Sequence, residues 1–275
     1  MDGKTGELLL SRKENRKREI ASLTKMMNLF CVVKLLDQYK LNSKDMYTKV
    51  SKKAAKTIGT SANLKTGDVV RIWDLLFGLM LPSGNDAATA LAEHFGAEIY
   101  MRSEHYQARC NIDASYASKE ISNPAKYFIK FMNETAKDLG LLHTYYANPH
   151  GLMNPNNYST AADQAKLTYL LLKQNYVKDI VNTRSHTCKI EQANGHIRVA
   201  TWENTNKLLG REGWNGVKTG ITNAAGPCLS AYYKYRDNNY IVILLCSISM
   251  EIRWIEAPKL VDYAIKNRDD FKAAN

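Results

Sequence analysis

The chain has 275 residues, 45% hydrophobic and 24% charged, which places it among globular proteins with a sizeable core and not among disordered ones. Lys and Arg number 38 against 27 Asp and Glu, a formal charge of +11 that favours acidic partners at long range. The basic residues are spread along the chain apart from a cluster at residues 12–18, so a solvated basic surface is expected and no specific nucleic-acid partner. Five cysteines without a CxxC pair, and six histidines without HxxxH or HExxH spacing, signal neither a disulfide framework nor a metal, and no cofactor is expected. No apolar run approaches the roughly 18 residues of a membrane span, and no h-region opens the chain. As given, the chain reads as unexported, or as one from which a leader was removed.

In chain order, residues 7–10 are a short apolar strand candidate after a Gly-rich turn, and residues 11–19 form a charged lead into a helix over 23–39. Apolar residues cover nearly the whole circumference of that helix, which marks it as buried on most sides. Ser22 stands at its start. Residues 40–70 read as loops and short strands forming a margin. Helices are expected over 71–81 and 86–95, interrupted by Pro82-Ser83-Gly84-Asn85, with the Asn or the following Asp as cap of the second. A helix over 127–139 closes with Gly140 at C′, and another over 160–174 opens with Ser159 or Thr160 as cap. Residues 187–190 and 196–200 face each other across Asn194-Gly195, a hairpin signal. Strands over 228–235 and 240–247 flank Arg236-Asp237-Asn238-Asn239, the second almost continuously apolar as an interior strand should be, and a helix over 256–267 follows. This order predicts an α+β fold with an antiparallel sheet, built from both chain ends, packed on a helical cluster.

Three motifs carry candidate chemistry. Ser22-Leu23-Thr24-Lys25 puts two functional side chains on one face of a helix start. A serine hydroxyl is a poor nucleophile unaided, but a neutral Lys25 amine can take its proton if burial and a second cation lower the lysine pKa. The helix start adds backbone N–H groups, Ser22's own among them, where an acyl oxyanion would form. A bare SxxK arises by chance roughly once in a chain this long, and its plain reading is a Ser cap beside a solvent-facing Lys. Ser83-Gly84-Asn85 supplies a hydroxyl for proton relay and an amide to hold the substrate or the base, yet Ser61-Ala62-Asn63 has the same spacing. Lys218-Thr219-Gly220 likewise has copies at 4–6 and 65–67. Context separates them, since 218–220 follow Val217 and lead towards the apolar C-terminal strands. On an edge strand beside Ser22, Lys218 is the expected second cation, attracting a carboxylate that Thr219 binds. Gly220 admits substrate close to the strand, and the backbone at Ile221 completes the oxyanion hole.

SxxK, SxN and KTG in this order form the combination found in penicillin-binding proteins and class A β-lactamases, and their joint occurrence is far more specific than any one of them. Residues 21–27, Asn148-Pro149-His150-Gly151-Leu152, Tyr158-Ser159-Thr160-Ala161 and Asn204-Thr205-Asn206-Lys207-Leu208-Leu209 extend the likeness. With them the chain resembles the low-molecular-mass penicillin-binding D-alanyl-D-alanine carboxypeptidases over most of its length. The resemblance implies a β-lactamase/transpeptidase-like fold, a single catalytic domain over 1–275, and acyl transfer from a peptidoglycan D-Ala-D-Ala peptide through Ser22, with β-lactams acylating the same serine. No Glu-x-x-x-Asn element of the class A β-lactamase kind is found, which disfavours rapid β-lactam hydrolysis. His150 is expected to be structural.

Family members usually begin with an export signal and a full first strand, and many end with a β-rich domain and a membrane anchor. None of these is read in this chain, which leaves the completeness of the sheet open. The resemblance points to the cell envelope, whereas a chain without a leader would stay inside the cell. Residues 98–123 read as an insertion carrying Tyr100, His105, Tyr106, Cys110 and Tyr116, a candidate contact for a protein partner. The alternative function is a catalytically idle member of the same lineage reused as a structural or assembly subunit.

Overall fold

The computed structural model describes residues 1–119 and 121–267. A two-residue strand, β1 (Arg18–Glu19), and a 3₁₀ turn (Ala21–Leu23) lead into helix α1 (Thr24–Tyr39). Met26, Met27, Leu29, Cys31, Val32, Val33, Leu35 and Leu36 point to all sides of α1 and are buried, as the continuous apolar pattern requires. Lys25 and Asn28 are buried among them, and both are fully enclosed. The margin follows as β2 (Tyr47–Lys49), a single turn α2 (Lys52–Ala55) and β3 (Val69–Arg71). Helices α3 (Ile72–Met80) and α4 (Asn85–Met101) pack on α1.

Next come α5 (Glu104–Ile112), a 3₁₀ turn (Ala114–Ser118) and α6 (Ala125–Asp138). Helix α6 ends as expected on Gly140 with φ +65°, where Gly140 N donates to Lys137 O and Leu141 N to Ala136 O. That pair of bonds satisfies carbonyls that every helix end leaves unpaired. Strand β4 (Tyr158–Ser159) pairs with β1 and leads to α7 (Ala161–Leu171), whose cap is Thr160, its Oγ1 accepting from Asp163 N. Helix α7 stops at Leu171, short of the 174 expected, and helix α8 (Asn175–Asn182), which was not anticipated, follows after a short turn.

The remaining strands are β5 (Ser185–Glu191), β6 (Ile197–Glu203), β7 (Trp214–Gly220), β8 (Cys228–Tyr235) and β9 (Asn238–Leu244), followed by α9 (Ile252–Lys266). They form two antiparallel sheets, ordered β2-β3-β5-β6 and β7-β8-β9. The hairpin at Asn194-Gly195 joins β5 to β6 in continuous register. In β8 and β9 alternate residues face opposite layers: Cys228, Tyr232 and Ile241 join the helical core around α1, while Leu229, Ala231, Tyr240 and Val242 pack with Trp254, Ala257 and Val261 of α9. Burial on both faces is why these strands read as nearly unbroken apolar runs.

Three expectations need correction. Residues 7–10 are not a strand: Leu8, Leu9 and Leu10 line a groove of about 900 Å³ together with residues of β9 and α9, and Leu9 packs by its side chain on the apolar layer of α9 instead of extending the ladder. Of the N-terminal segment, residues 1–3 alone join the sheet, with Asp2 opposite Tyr240, Ile241 N donating to Met1 O and Gly3 N to Asn239 O. The last turn uses two residues, Arg236 and Asp237, not four, and Arg236 takes the left-handed conformation there. Finally, α4 runs six residues past Phe95 and is capped by neither Asn85 nor Asp86 in the expected manner, for a reason that lies in the site.

Helices α4 and α6 meet at Gly96, where an added β-carbon would collide with the carbonyl of Pro124. Gly96→Ala is therefore expected to destabilise the protein by about 2 kcal/mol, the ordinary cost of forcing an atom into a packed contact. Urea denaturation checks this, and an unchanged midpoint would mean that the helices separate freely.

Candidate active site

Segments far apart in sequence converge on the amine of Lys25. The 3₁₀ turn that precedes α1 carries Ser22, and Ala21 beside it holds φ +48°, a strained value for a residue with a side chain. The Ser22 hydroxyl caps nothing in its own helix. It lies instead 3.0 Å from Lys25 Nζ. The same nitrogen donates to Asn85 Oδ1 at 2.6 Å and to the backbone carbonyl of His150 at 2.7 Å. These two acceptors can only take protons, so they fix two of the three outer positions of the amine. In the neutral amine the third position, facing Ser22 Oγ, is the lone pair. Burial pushes the Lys25 pKa well below the ordinary lysine value, the nearby Lys218 cation pushes it the same way, and the Asp86 carboxylate opposes them.

Asn85 owes its orientation to the loop at 57–64. Its Nδ2 donates to Ile58 O at 2.7 Å, which turns Oδ1 towards Lys25, and its backbone N donates to Thr60 O. This commitment is why Asn85 does not cap α4; the capping position is Gly84, without a side-chain bond. Ser83 holds φ +62°, with its carbonyl accepting from Thr60 Oγ1 at 2.6 Å. Among the described residues the buried Ser83 Oγ has no hydrogen-bond partner, so its bonding capacity is free for an incoming group.

The third arm is β7. Lys218 is 1% exposed and its Nζ donates to Thr219 O at 2.9 Å. Burial, and then the Arg253 guanidinium, lower its pKa to about 7. Thr219 Oγ1 lies 2.7 Å from Thr205 Oγ1. A β-carbon on Gly220 would stand 2.9 Å from Ser22 N, so only glycine lets the strand end come this close to the serine backbone. Arg253 of α9 secures that end through Nη1, bonded to Gly220 O at 3.2 Å and Cys228 O at 2.9 Å. Ile221 follows immediately and is half exposed.

The copies of the motifs go elsewhere. Lys4-Thr5-Gly6 sits in a turn at the chain start, Lys65-Thr66-Gly67 in a loop with Gly67 at φ +86°, and Ser61 bonds to Asp86. Of the three KTG tripeptides, the one at 218–220 reaches Ser22. Residues the motifs did not reveal also line the site. The chief one is His150, which contributes a carbonyl and not its ring: its Nδ1 accepts from Leu152 N, and burial, helped by Lys25 and Lys53, lowers its pKa to about 3, keeping the ring neutral. A backbone acceptor leaves no trace in the residue letter. The available signal was Gly151, at φ +89°, where any β-carbon would run into the Ala21 carbonyl.

The profile of peptidase family S11, D-alanyl-D-alanine carboxypeptidase, matches residues 1–99 and 111–247. The chain belongs to that family. The D-alanyl-D-alanine carboxypeptidase of Streptomyces sp. (strain K15) is 33% identical over 269 residues, 96% of this chain and 84% of the relative. DacF of Bacillus subtilis is 29% identical over 94% of this chain and DacC of Escherichia coli 31% over 97%, but the chain spans only about three fifths of their length, 59% and 60%. The crystal structure of the Streptomyces K15 DD-transpeptidase superimposes with a TM-score of 0.84 at 32% identity, covering 97% of this chain and 95% of that one. The family thus carries the mixed α and β fold that the motifs implied, and the match skips residues 100–110, the end of α4 and most of α5.

The charge coupling within the site is open to direct test. Lys218→Met removes a buried cation that disfavours protonation of Lys25, so the Lys25 titration should move to higher pH. The side-chain resonances of ¹³C-labelled lysine report this, and an unmoved midpoint would show that the two amines do not act on each other.

Proposed function

We propose that this family member is a serine-type D-alanyl-D-alanine peptidase that works through an acyl-enzyme, with Ser22 as nucleophile and Lys25 as base. One observation carries the reading: the Ser22 hydroxyl faces the one outer position of a fully buried amine that two carbonyl acceptors leave open. As Ser22 Oγ attacks the carbonyl carbon between the terminal D-alanines of a peptidoglycan stem peptide, the lone pair of Lys25 accepts the hydroxyl proton. The oxyanion that forms lies beside Ser22 N and the end of β7, where the amide of Ile221 supplies the second donor. Collapse breaks the C–N bond, and the amine leaves as D-alanine after taking the proton from Lys25 by way of the Ser83 hydroxyl. Water then attacks the ester with Lys25 as base again, and Ser22 regains its proton.

Lys218 and Thr219 bind the terminal carboxylate of the peptide. That placement explains why the peptidase would remove a terminal residue, since the anchor lies just beyond the bond to be broken. A β-lactam presents its own carboxylate to the same pair and acylates Ser22, but its ring-opened amine stays attached and shields the ester. Neutral Lys25 is the reactive form, so kcat/KM falls as pH drops through its lowered pKa. On the alkaline side it falls as Lys218 loses its proton, from a pKa of about 7 in the free protein.

Intact-protein mass after incubation with a penicillin is the test. The parent should gain the mass of one penicillin and Ser22→Ala should gain none, and a parent peptide assay should release D-alanine. Folded parent protein that takes up no penicillin at high concentration would remove the enzymatic reading and favour reuse as an assembly subunit.

A further inference from the structure

We propose that Asp86, a residue outside the three motifs, is a positioning residue of this site: its carboxylate clamps the loop that aims the Asn85 amide at Lys25 and sets an acidic charge next to Asn85, the residue that holds Lys25. The proposal rests on the assignment of Ser22 and Lys25 above. Asp86 is 1% exposed in the first turn of α4. An acidic residue at a helix start is commonplace, and its usual partner is a backbone N–H of the same helix. Asp86 does make one such bond, from Ala87 N to Oδ1 at 2.9 Å. Its other three bonds come from one segment of the 57–64 loop. Ala62 N donates to Oδ1 at 2.8 Å, and Ser61 Oγ and Leu64 N donate to Oδ2 at 2.6 and 3.0 Å.

That loop is the one that touches the motif. Ile58 O receives the Asn85 amide, Thr60 O receives the Asn85 backbone N–H, and Thr60 Oγ1 holds the carbonyl of strained Ser83. The next residues are held from the other side by Trp202 of β6, whose Nε1 donates to Ala62 O at 2.9 Å. A β-carbon on Gly84 would stand 2.7 Å from Asp86 Oδ1 and 2.9 Å from Ala62 N, so the glycine of the SxN motif is what lets the carboxylate and the loop close on each other. The second part of the role is charge. Of the charged groups acting on Lys25, Lys218 on β7 disfavours its protonation and Asp86 on α4 favours it, while the His150 ring in the 148–151 turn, near Lys53 of α2, stays neutral.

Asp86→Asn, Asp86→Glu and Ser61→Ala separate the two parts, with the ¹³C resonances of labelled lysine as the first readout and Lys25 assigned by its loss in Lys25→Arg. Asp86→Asn loses the charge and turns an N–H₂ group towards Ser61 or Leu64. Its Lys25 titration should move to lower pH, and penicillin acylation should slow by roughly ten- to hundredfold, the usual effect of a small misplacement in a site, with the acid limb displaced the same way. Asp86→Glu keeps the charge but does not fit the cradle, so it should restore the titration without restoring the rate. Ser61→Ala removes one anchor and no charge, and should slow acylation with the Lys25 titration in place; it also serves if Asp86→Asn does not fold. A Lys25 titration that ignores Asp86→Asn, or parental acylation in both Ser61→Ala and folded Asp86→Asn, would overturn the proposal. A parent protein that no penicillin acylates would instead remove the enzymatic reading, and the lysine titration would still decide the role of Asp86.

Discussion

A lysine amine taken wholly out of water is the constraint around which this molecule is arranged. Desolvating an unpaired ammonium costs several kcal/mol even after relaxation, and a helix as apolar as α1 offers no compensation from its own side chains. The protein meets this by bringing two carbonyl oxygens, from Asn85 and His150, to Lys25 Nζ from different parts of the chain. Among the described residues no carboxylate is in direct contact with it. A paired carboxylate would hold the amine as a cation and consume its basicity, whereas two neutral acceptors satisfy hydrogen bonding and leave the proton affinity low. The same arrangement that removes the cost of burial therefore makes the amine able to accept the serine proton.

Holding those acceptors in place requires backbone that ordinary sequence avoids. Ala21 and Ser83 both sit at positive φ beside the reactive groups, and Gly151 and Gly220 pass so close to the turn carrying Ser22 that a β-carbon at either would meet its backbone. Such strain persists where the surroundings over-determine it. Here they do: α1 is packed on most sides, Asn28 Nδ2 ties it to Ala88 O and Pro149 O, and one turn earlier Asn157 Nδ2 ties Thr24. Packing and site geometry are thus one design, since the rigid helix is what allows strained turns to meet it.

The residues legible in the sequence were those whose side chains do the contacting. Ser22, Lys25, Asn85 and Lys218 stand out by residue type and spacing, and the apolar wrapping of 23–39 and of β8 and β9 follows directly from burial on more than one face. Context was needed where letters repeat: three KTG tripeptides are chemically identical, and the flanking strand pattern separated 218–220 from the copies in turns. What stayed hidden was backbone and long-range complementarity. The His150 carbonyl has no letter of its own. Residues 7–10 looked like a strand because three leucines look apolar in any setting, but a strand exists only where a neighbouring edge receives its hydrogen bonds. Asn85 and Asp86 looked like caps because capping is the commonest use of those residues at a helix start, and the loop that claims their side chains instead is 22 to 27 residues earlier in the chain.

The two lysines also differ in a way that suits the separate tasks proposed for them. Lys25 meets two carbonyl acceptors and one hydroxyl, while Lys218 has the single Thr219 carbonyl among the described residues and a guanidinium nearby. A lysine amine whose pKa lies at about 7 is poised to be protonated by the arrival of a carboxylate, because the incoming negative charge raises its proton affinity. Protonating Lys218 in turn deepens the depression of Lys25, since each disfavours charge on the other. In the mechanism proposed above, a substrate carboxylate on one side of the site would therefore keep the base neutral on the other, so that its binding at β7 would itself ready the amine beside Ser22.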